Sequence, residues 1–304
     1  MSRASDSVQR ARPLLGTFVE ITVAGAAPRD MHAAIEAAFG AIAKVHGLMS
    51  FHDANSDVGR LNNGGWVRPL RVHRWTFQVL EAAVDLHRRS AGMFDIAVAP
   101  ISQELGLLPG LGADRSANSA STATTEAIEL LSDRRVRFRH PGVRIDLGGI
   151  AKGFAVDRAI DVLRDHRMLA GLVNAGGDLA AFGPATETVY IRDPRDPRRL
   201  MCGIEIDNQA LASSGNRFDP FRSASPSGPA IIDPRTRQAV RSVNAVTVRA
   251  PSCLIADALT KVVMAEGPSA ADLLDHYRAG ALVVSAAGAV QMTEDLQGAV
   301  CLAA

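Results

Sequence analysis

Apolar residues recur along the chain at two spacings, every second position or every third and fourth, which are typical of strands and of helices. The first predicted strand is residues 16–24, where β-branched residues alternate with others. Asp30 is expected to cap the helix that follows, whose apolar face is predicted to consist of Ile35, Ala38, Phe39, Ile42 and Val45. Further helices are predicted over residues 75–89, 151–166, 253–265 and 270–279. Further strands are predicted up to residue 147, near 172, 189 and 204, over 242–248, and near 282 and 290.

Many strands with interspersed helices predict an α+β fold. A length of 304 residues allows one interlocked domain or two smaller ones. Residues 109–125 are dense in Gly, Ala, Ser and Thr, so this stretch is expected to be a flexible connection rather than a packed element.

The formal net charge of +1 is nearly balanced and provides no electrostatic footprint for nucleic acid. The one basic run, residues 134–140, alternates like a strand with one solvated face. Three widely spaced cysteines without a CxxC argue against a disulfide framework and against a cysteine zinc site. The N-terminal residues lack the apolar segment of a signal peptide, and no apolar run reaches bilayer length. We therefore expect a cytoplasmic protein without membrane insertion.

Two glycine turns are the most informative feature of the chain. In the first, Asp146 ends an apolar segment and is followed by Gly148-Gly149, Lys152 and an amphipathic helix. The second is residues 173–178, Val-Asn-Ala-Gly-Gly-Asp. Glycines let backbone N–H groups approach a ligand, and a helix start favours an anion. The pair indicates a site for a phosphorylated, nucleotide-like ligand. The alternative is that both are tight turns and that Lys152 is solvated.

Further short motifs flank these turns. Taken singly, each can be explained as a turn or a helix end, and Asn62-Asn63-Gly64 can be explained as a loop. They are residues 51–62 (FHDANSDVGRLN), 92–95 (GMFD), 213–216 (SSGN), 231–236 (IIDPRT) and 256–261 (ADALTK). In this order and spacing the motifs resemble the ApbE family, the FAD:protein FMN transferases. The resemblance covers Leu15 to Gly267, and the DLGGIAKGFAVD and VNAGGD stretches carry it most specifically.

The resemblance implies a T-fold-like α+β architecture with antiparallel and mixed sheets, formed by a single FAD-binding domain over residues 1–304. It implies an enzyme that cleaves the FAD pyrophosphate with Mg²⁺. The FMN half is then joined through its phosphate to a Thr or Ser of an acceptor flavoprotein, and AMP is released. Flavin- or adenosine-binding positions correspond to Met93, Phe94, Asp95, Asp146, Lys152 and Ile231. Metal ligands correspond to backbone oxygens within Gly149 to Ala151 and to the Asp257 carboxylate, a hard donor that suits Mg²⁺.

Three positions depart from the family pattern. Lys261 replaces the Thr that usually follows the metal-binding Asp by four residues, with Thr260 one place early. We hypothesise that Lys261 supplies positive charge at the pyrophosphate and partly replaces the metal. The alternative is a plain i,i+4 ion pair with Asp257, worth about 0.3–0.5 kcal/mol. Ala230 replaces a His, and His52 replaces an aromatic that stacks on the flavin.

These departures leave the role of His52 and the activity itself open. His52 either stacks on the flavin, takes over acid–base catalysis or is an exposed loop residue without a role. The main alternative to a transferase is a flavin-binding protein of the same fold that has lost transfer or hydrolyses FAD slowly. An interaction protein that binds no nucleotide is the third alternative. The acceptor and the oligomeric state do not follow from the sequence.

Overall fold

The computed structural model of the protein describes residues 7–109, 123–215 and 231–302. Its strands are β1 (Ser7–Leu14), β2 (Thr17–Ala24), β3 (Leu70–Arg71), β4 (Ile128–Leu131), β5 (Arg135–Phe138), β6 (Ala170–Ala175), β7 (Asp178–Phe182), β8 (Glu187–Asp193), β9 (Asp196–Ile206), β10 (Ala210–Gly215), β11 (Ile232–Asp233), β12 (Gln238–Ala239), β13 (Val243–Ala250), β14 (Gly280–Ser285), β15 (Val290–Met292) and β16 (Val300–Leu302). Its helices are α1 (Pro28–Met49), α2 (Asp57–Gly64), α3 (Arg74–Arg89), α4 (Ala99–Glu104), α5 (Ala151–Asp165), α6 (Cys253–Glu266), α7 (Ala271–His276) and α8 (Glu294–Gln297).

The central element is an eight-stranded sheet in the order β1-β2-β6-β7-β10-β13-β14-β15. Each neighbouring pair in it is antiparallel. Two three-stranded sheets, β16-β9-β8 and β3-β5-β4, and the β11-β12 ribbon complete the strand pairing of the described residues. The predicted α+β class is confirmed, as are the strands near residues 172, 189, 204, 242–248, 282 and 290.

Helices α1, α5 and α6 cover one face of the large sheet and bury the main hydrophobic core against it. The apolar stripe predicted on α1 (Ile35, Ala38, Phe39, Ile42 and Val45) is buried. The predicted cap is wrong, because the helix begins at Pro28 and Asp30 lies inside its first turn. There a carboxylate still interacts favourably with the helix dipole.

The opposite face of the large sheet packs against the sheet of β8, β9 and β16 through a smaller hydrophobic cluster. Strand β7 is covered on both faces, and all five of its residues are buried. It therefore reads as a continuous apolar run, apart from its first residue, Asp178. That carboxylate is placed at the end of a core strand beside the second glycine turn.

Two local expectations did not hold as stated, and one strand was not predicted. Strand β1, an edge strand with mostly exposed residues, was not predicted. The strand predicted up to Leu147 stops at Phe138, and residues 143–147 run without sheet pairing. Asn62-Asn63-Gly64 closes helix α2 instead of forming a loop. Of the connection predicted over 109–125, residues 110–122 lie outside the described residues.

Across the described residues, no helix is both long enough and apolar enough to cross a membrane.

Candidate active site

A cavity of about 800 Å³ opens where the two glycine turns meet the N-terminus of α5. This volume lies toward the upper end of the range of roughly 300–1,000 Å³ that is usual for small-molecule sites. Part of its lining is apolar: Leu15, Met93, Phe94, Leu107, Leu108 and Ile231. Another part is polar or charged: Asp146, Lys152, Ser213, Ser214 and Lys261. The cavity suits a ligand with a flat apolar ring and an anionic group.

The segment leading into the first glycine turn is fixed by a side chain from α2. The Asn62 amide donates to the carbonyl of Ile145 at 2.9 Å and accepts from its N–H at 2.8 Å. The next residue, Asp146, donates its N–H to the Ile96 carbonyl and accepts from the Gly148 N–H at 3.1 Å. Burial raises the pKa of Asp146. Asp146 therefore has a defined backbone position at the cavity wall.

The Met93-Phe94-Asp95 wall is tied to α3 and to Thr125. The Phe94 N–H donates to Ser90 Oγ at 2.8 Å, and buried His87 donates from Nδ1 to the Phe94 carbonyl at 2.8 Å. Asp95 accepts from the Thr125 hydroxyl at 2.7 Å and from the N–H groups of Ala97 and Thr125. Burial is also the main cause that raises the pKa of Asp95. These contacts of Asp95 all hold the wall together.

The second glycine turn joins β6 to β7. Gly176 and Gly177 have φ values of +68° and +100°, which favour glycine strongly. The Asn174 side chain accepts from the Gly177 N–H at 2.9 Å. A side chain at Gly176 would clash with Thr17, so the turn sits directly on the β1–β2 hairpin.

The two turns are joined by an ion pair. Lys152 Nζ, from the start of α5, lies 2.7 Å from Asp178 Oδ2, at the start of β7. The Asp178 side chain is 1% exposed, while 35% of the Lys152 side chain remains accessible at the cavity. Asp178 is the main cause that raises the pKa of Lys152, so this amine stays charged.

Helix α6 places Asp257 behind the first glycine turn. Its Oδ2 accepts from the Gly153 N–H at 3.0 Å, so the protein's own carboxylate occupies part of the N-terminus of α5. Its Oδ1 makes a short contact with the ammonium of Lys261. Asp257 is completely buried and 18% of the Lys261 side chain is exposed, so this i,i+4 pair is not a solvated surface pair.

The described side chains do not fit a Mg²⁺ site at Asp257. Both carboxylate oxygens are already engaged, one by an ammonium and one by a backbone N–H. Elsewhere in the described part of the chain, no three His, Cys, Asp or Glu side chains come together in a way that suits a metal ion. Mg²⁺ prefers several oxygen ligands without a competing cation.

The structure brings most of the predicted site residues to one cavity: Met93, Phe94, Asp95, Asp146, Gly149, Lys152, Ile231 and Lys261. His52 is exposed and does not line the described cavity. Ala151 begins α5 beside the cavity. Ala230 lies outside the described residues.

Sequence reasoning missed several residues of the site. Asp178 was noted only as the last residue of the second glycine turn. An Asp at the start of an apolar strand indicates a buried charge that needs a partner. Thr125 lay in a stretch interpreted as a connection, yet it is buried and anchors Asp95. Thr17 and Arg192 line the cavity without a local pattern that marks them.

Comparison with known proteins supports the resemblance that the sequence motifs indicated. The sequence profile of the ApbE family matches residues 15–283. The chain belongs to the ApbE family. Among ApbE relatives, an FAD:protein FMN transferase of Treponema pallidum is 28% identical over 279 residues, covering 82% of this chain and 76% of the relative. One of Klebsiella pneumoniae is 27% identical over 236 residues, covering 75% and 74%.

Solved ApbE structures share the fold. The ApbE protein from Thermotoga maritima superposes with a TM-score of 0.85 at 25% identity, covering 97% of this chain and 99% of that one. The apo flavinyl transferase ApbE of Pseudomonas stutzeri has a TM-score of 0.79 at 22% identity, with 97% of each chain covered. The architecture implied by the motifs is therefore confirmed as the ApbE fold.

Proposed function

We propose that this protein is an FAD:protein FMN transferase, which moves FMN from FAD to a Thr or Ser hydroxyl of an acceptor flavoprotein and releases AMP. The observation that carries the proposal is the cavity between the glycine turns, which combines apolar walls with the ammonium groups of Lys152 and Lys261. The activity printed in the names of the ApbE relatives supports it. One FAD-binding domain over residues 1–304 is part of the proposal.

In this reaction the acceptor oxygen attacks the phosphorus of the FMN half. A new P–O bond to Thr or Ser forms, the P–O bond to the AMP half breaks, and the hydroxyl proton is released to the solvent. Such chemistry depends on positioning and on stabilising charge that develops at the phosphates. Lys152, held by Asp178, supplies a fixed positive charge for this purpose.

The remaining lining residues bind and orient the substrate. Met93, Phe94 and Ile231 offer apolar surface for the flavin or the adenine, and Asp146 offers a carboxyl group at the wall. Since burial raises the pKa of Asp146, the carboxyl is easier to protonate and to use as a hydrogen-bond donor than an exposed one.

Three expectations from the sequence stay predictions. One is Mg²⁺ bound by Gly149, Ala151 and Asp257, and because the described side chains do not fit it, no step above runs through a metal. The second is flavin stacking or acid–base catalysis by His52. The third is the cytoplasmic location expected from the sequence.

The test is mass spectrometry of a flavin-free acceptor subunit incubated with the protein and FAD. A mass gain of one FMN on Thr or Ser, with AMP released, is expected. The Lys152→Met variant should lose transfer, whereas Lys44→Met, on the exposed side of α1, should keep it. FAD that is bound but stays intact, or that is hydrolysed to free FMN and AMP, would instead support the flavin-binding alternative.

A further inference from the structure

Lys261 stands out among the basic residues of this chain. Only three of the thirty-three Lys and Arg residues are lysines, and two of the three, Lys152 and Lys261, line the cavity. A lysine ammonium is a compact point charge with three donors, unlike the broad planar guanidinium of Arg192, which also lines the cavity. Lys261 therefore places a small cation at this point of the wall.

The Lys261 ammonium is surrounded by oxygen atoms. Besides Asp257 Oδ1, it lies 3.0 Å from the Asp257 carbonyl, 3.1 Å from Thr260 Oγ1 and 3.2 Å from Ser214 Oγ. Thr260 Oγ1 in turn lies 2.7 Å from both Ser214 Oγ and the Asp257 carbonyl. Carboxylate, carbonyl and hydroxyl oxygens are the ligands that hard metal cations take. Here they surround an ammonium.

The stem of Lys261 leads from α6 to the first glycine turn. A methyl group at Gly149 would lie 3.3 Å from Lys261 Cε, so the stem already fills the space beside this glycine. The ammonium is thus held between the carboxylate of Asp257 and the turn that opens the cavity.

The charges around this point are balanced without a metal. Asp178 and Asp257 are buried carboxylates, and Lys152 and Lys261 are the two amines beside them. All four lie within electrostatic reach, since Asp257, Lys152 and Lys261 each shift the pKa of Asp178. A divalent ion added here would face an ammonium already in place.

Resting on the proposed function, we infer that the Lys261 ammonium is the built-in cation of this site, so that the protein binds the FAD pyrophosphate without a divalent metal ion. Asp257 and Ser214 are then positioning residues for that amine. From the cavity wall, the positive charge of the Lys261 ammonium stabilises the phosphates.

Binding, measured apart from transfer, tests the inference. FAD titrations of the wild-type protein in EDTA and in MgCl₂ should give the same Kd, and MgCl₂ alone should leave the wild-type Tm unchanged. Lys261→Thr, which supplies a hydroxyl and frees Asp257, should lose at least about tenfold in FAD affinity in EDTA. MgCl₂ should restore that affinity and raise the Tm of this variant. Lys44→Thr, which does not alter a lining residue of the cavity, is the matched control and should keep the wild-type FAD affinity in EDTA.

A second variant keeps the test decisive if Lys261→Thr does not fold. Lys261→Met retains the stem, lacks the charge, and should also lose at least about tenfold in FAD affinity in EDTA. The inference is overturned if wild-type FAD binding collapses in EDTA and recovers with Mg²⁺, or if Lys261→Met binds FAD as wild type does. Neither result bears on FMN transfer. The absence of transfer in the acceptor assay would reject the proposed function and would leave the binding result unchanged.

Discussion

Lys152 and Asp178 join the two glycine turns of this protein through an ion pair of 2.7 Å. They are separated along the chain by most of α5 and by β6, and neither turn could predict the contact by itself. Asp178 is buried in the core and Lys152 faces the cavity, so the buried carboxylate holds the ammonium in place at the site.

The first prediction concerns this pair. Lys152→Met should leave Asp178 buried without its partner and lower the free energy of unfolding by about 3 kcal/mol. FAD affinity should fall with it, because the phosphates lose a charge. Urea unfolding and flavin fluorescence titration measure the two effects.

The control for that variant is Asp161→Asn, which removes an accessible ion pair with Arg158 on the same helix. Its expected cost is under about 1 kcal/mol. Equal costs for the two variants would show that Lys152 is a solvated residue, which was the alternative weighed from the sequence.

The second prediction concerns Asn62. Asn62→Ala should lower the free energy of unfolding by about 2–4 kcal/mol, because the N–H and the carbonyl of Ile145 both lose buried hydrogen bonds. It should also weaken FAD binding, since Asp146 follows Ile145 directly. Chemical unfolding compared with Asn63→Ala, an exposed neighbour on the same helix, measures the cost. A similar small change in both variants would contradict the role given to Asn62.

The sequence was sufficient for features that depend on local periodicity. The stripe of α1, helices α3, α5 and α6, and the alternation of Val136 and Phe138 in β5 follow from residues close along the chain. The second glycine turn was recognisable because Gly176 and Gly177, both at positive φ, leave a direct mark in the sequence.

Features that depend on distant contacts were not accessible in that way. Strand β1 is polar and mostly exposed, and pairing with β2 rather than its own pattern makes it a strand. Thr125 looked like part of a connection because its value lies in hydrogen bonds to Asp95, thirty positions away. The oxygen shell of Lys261 includes Ser214 on β10, which the spacing within α6 did not indicate.

The third prediction compares two glycines in helices. A side chain at Gly153 would clash with the carbonyl of Cys253 where α5 and α6 pack together. Gly153→Ala should therefore destabilise the protein by about 1–3 kcal/mol or more. Gly40→Ala, in the exposed middle of α1 with open space around it, should stabilise it by about 0.5–1 kcal/mol. Thermal unfolding of the two variants measures both effects, and a tolerated Gly153→Ala would show that the two helices can separate.

The fourth prediction concerns pH and Asp157 of α5. This carboxylate accepts from the N–H groups of Cys253 and Leu254 at 2.8 and 2.9 Å and thereby caps α6. Burial nevertheless raises its pKa from 3.8 to about 6. Between these values the folded state holds a proton that the unfolded state has released, so stability contributed by this group is present below about pH 4 and is lost as pH rises toward 6.

Asp157→Asn removes this titration, while the other buried carboxylates are the same in both proteins. The free energy of unfolding of the wild type minus that of Asp157→Asn should therefore fall by about 1 kcal/mol per pH unit across this window. Urea unfolding at several pH values measures the difference. A difference that rises with pH would mean that the two N–H groups at the start of α6 outweigh burial and lower the pKa of Asp157 instead.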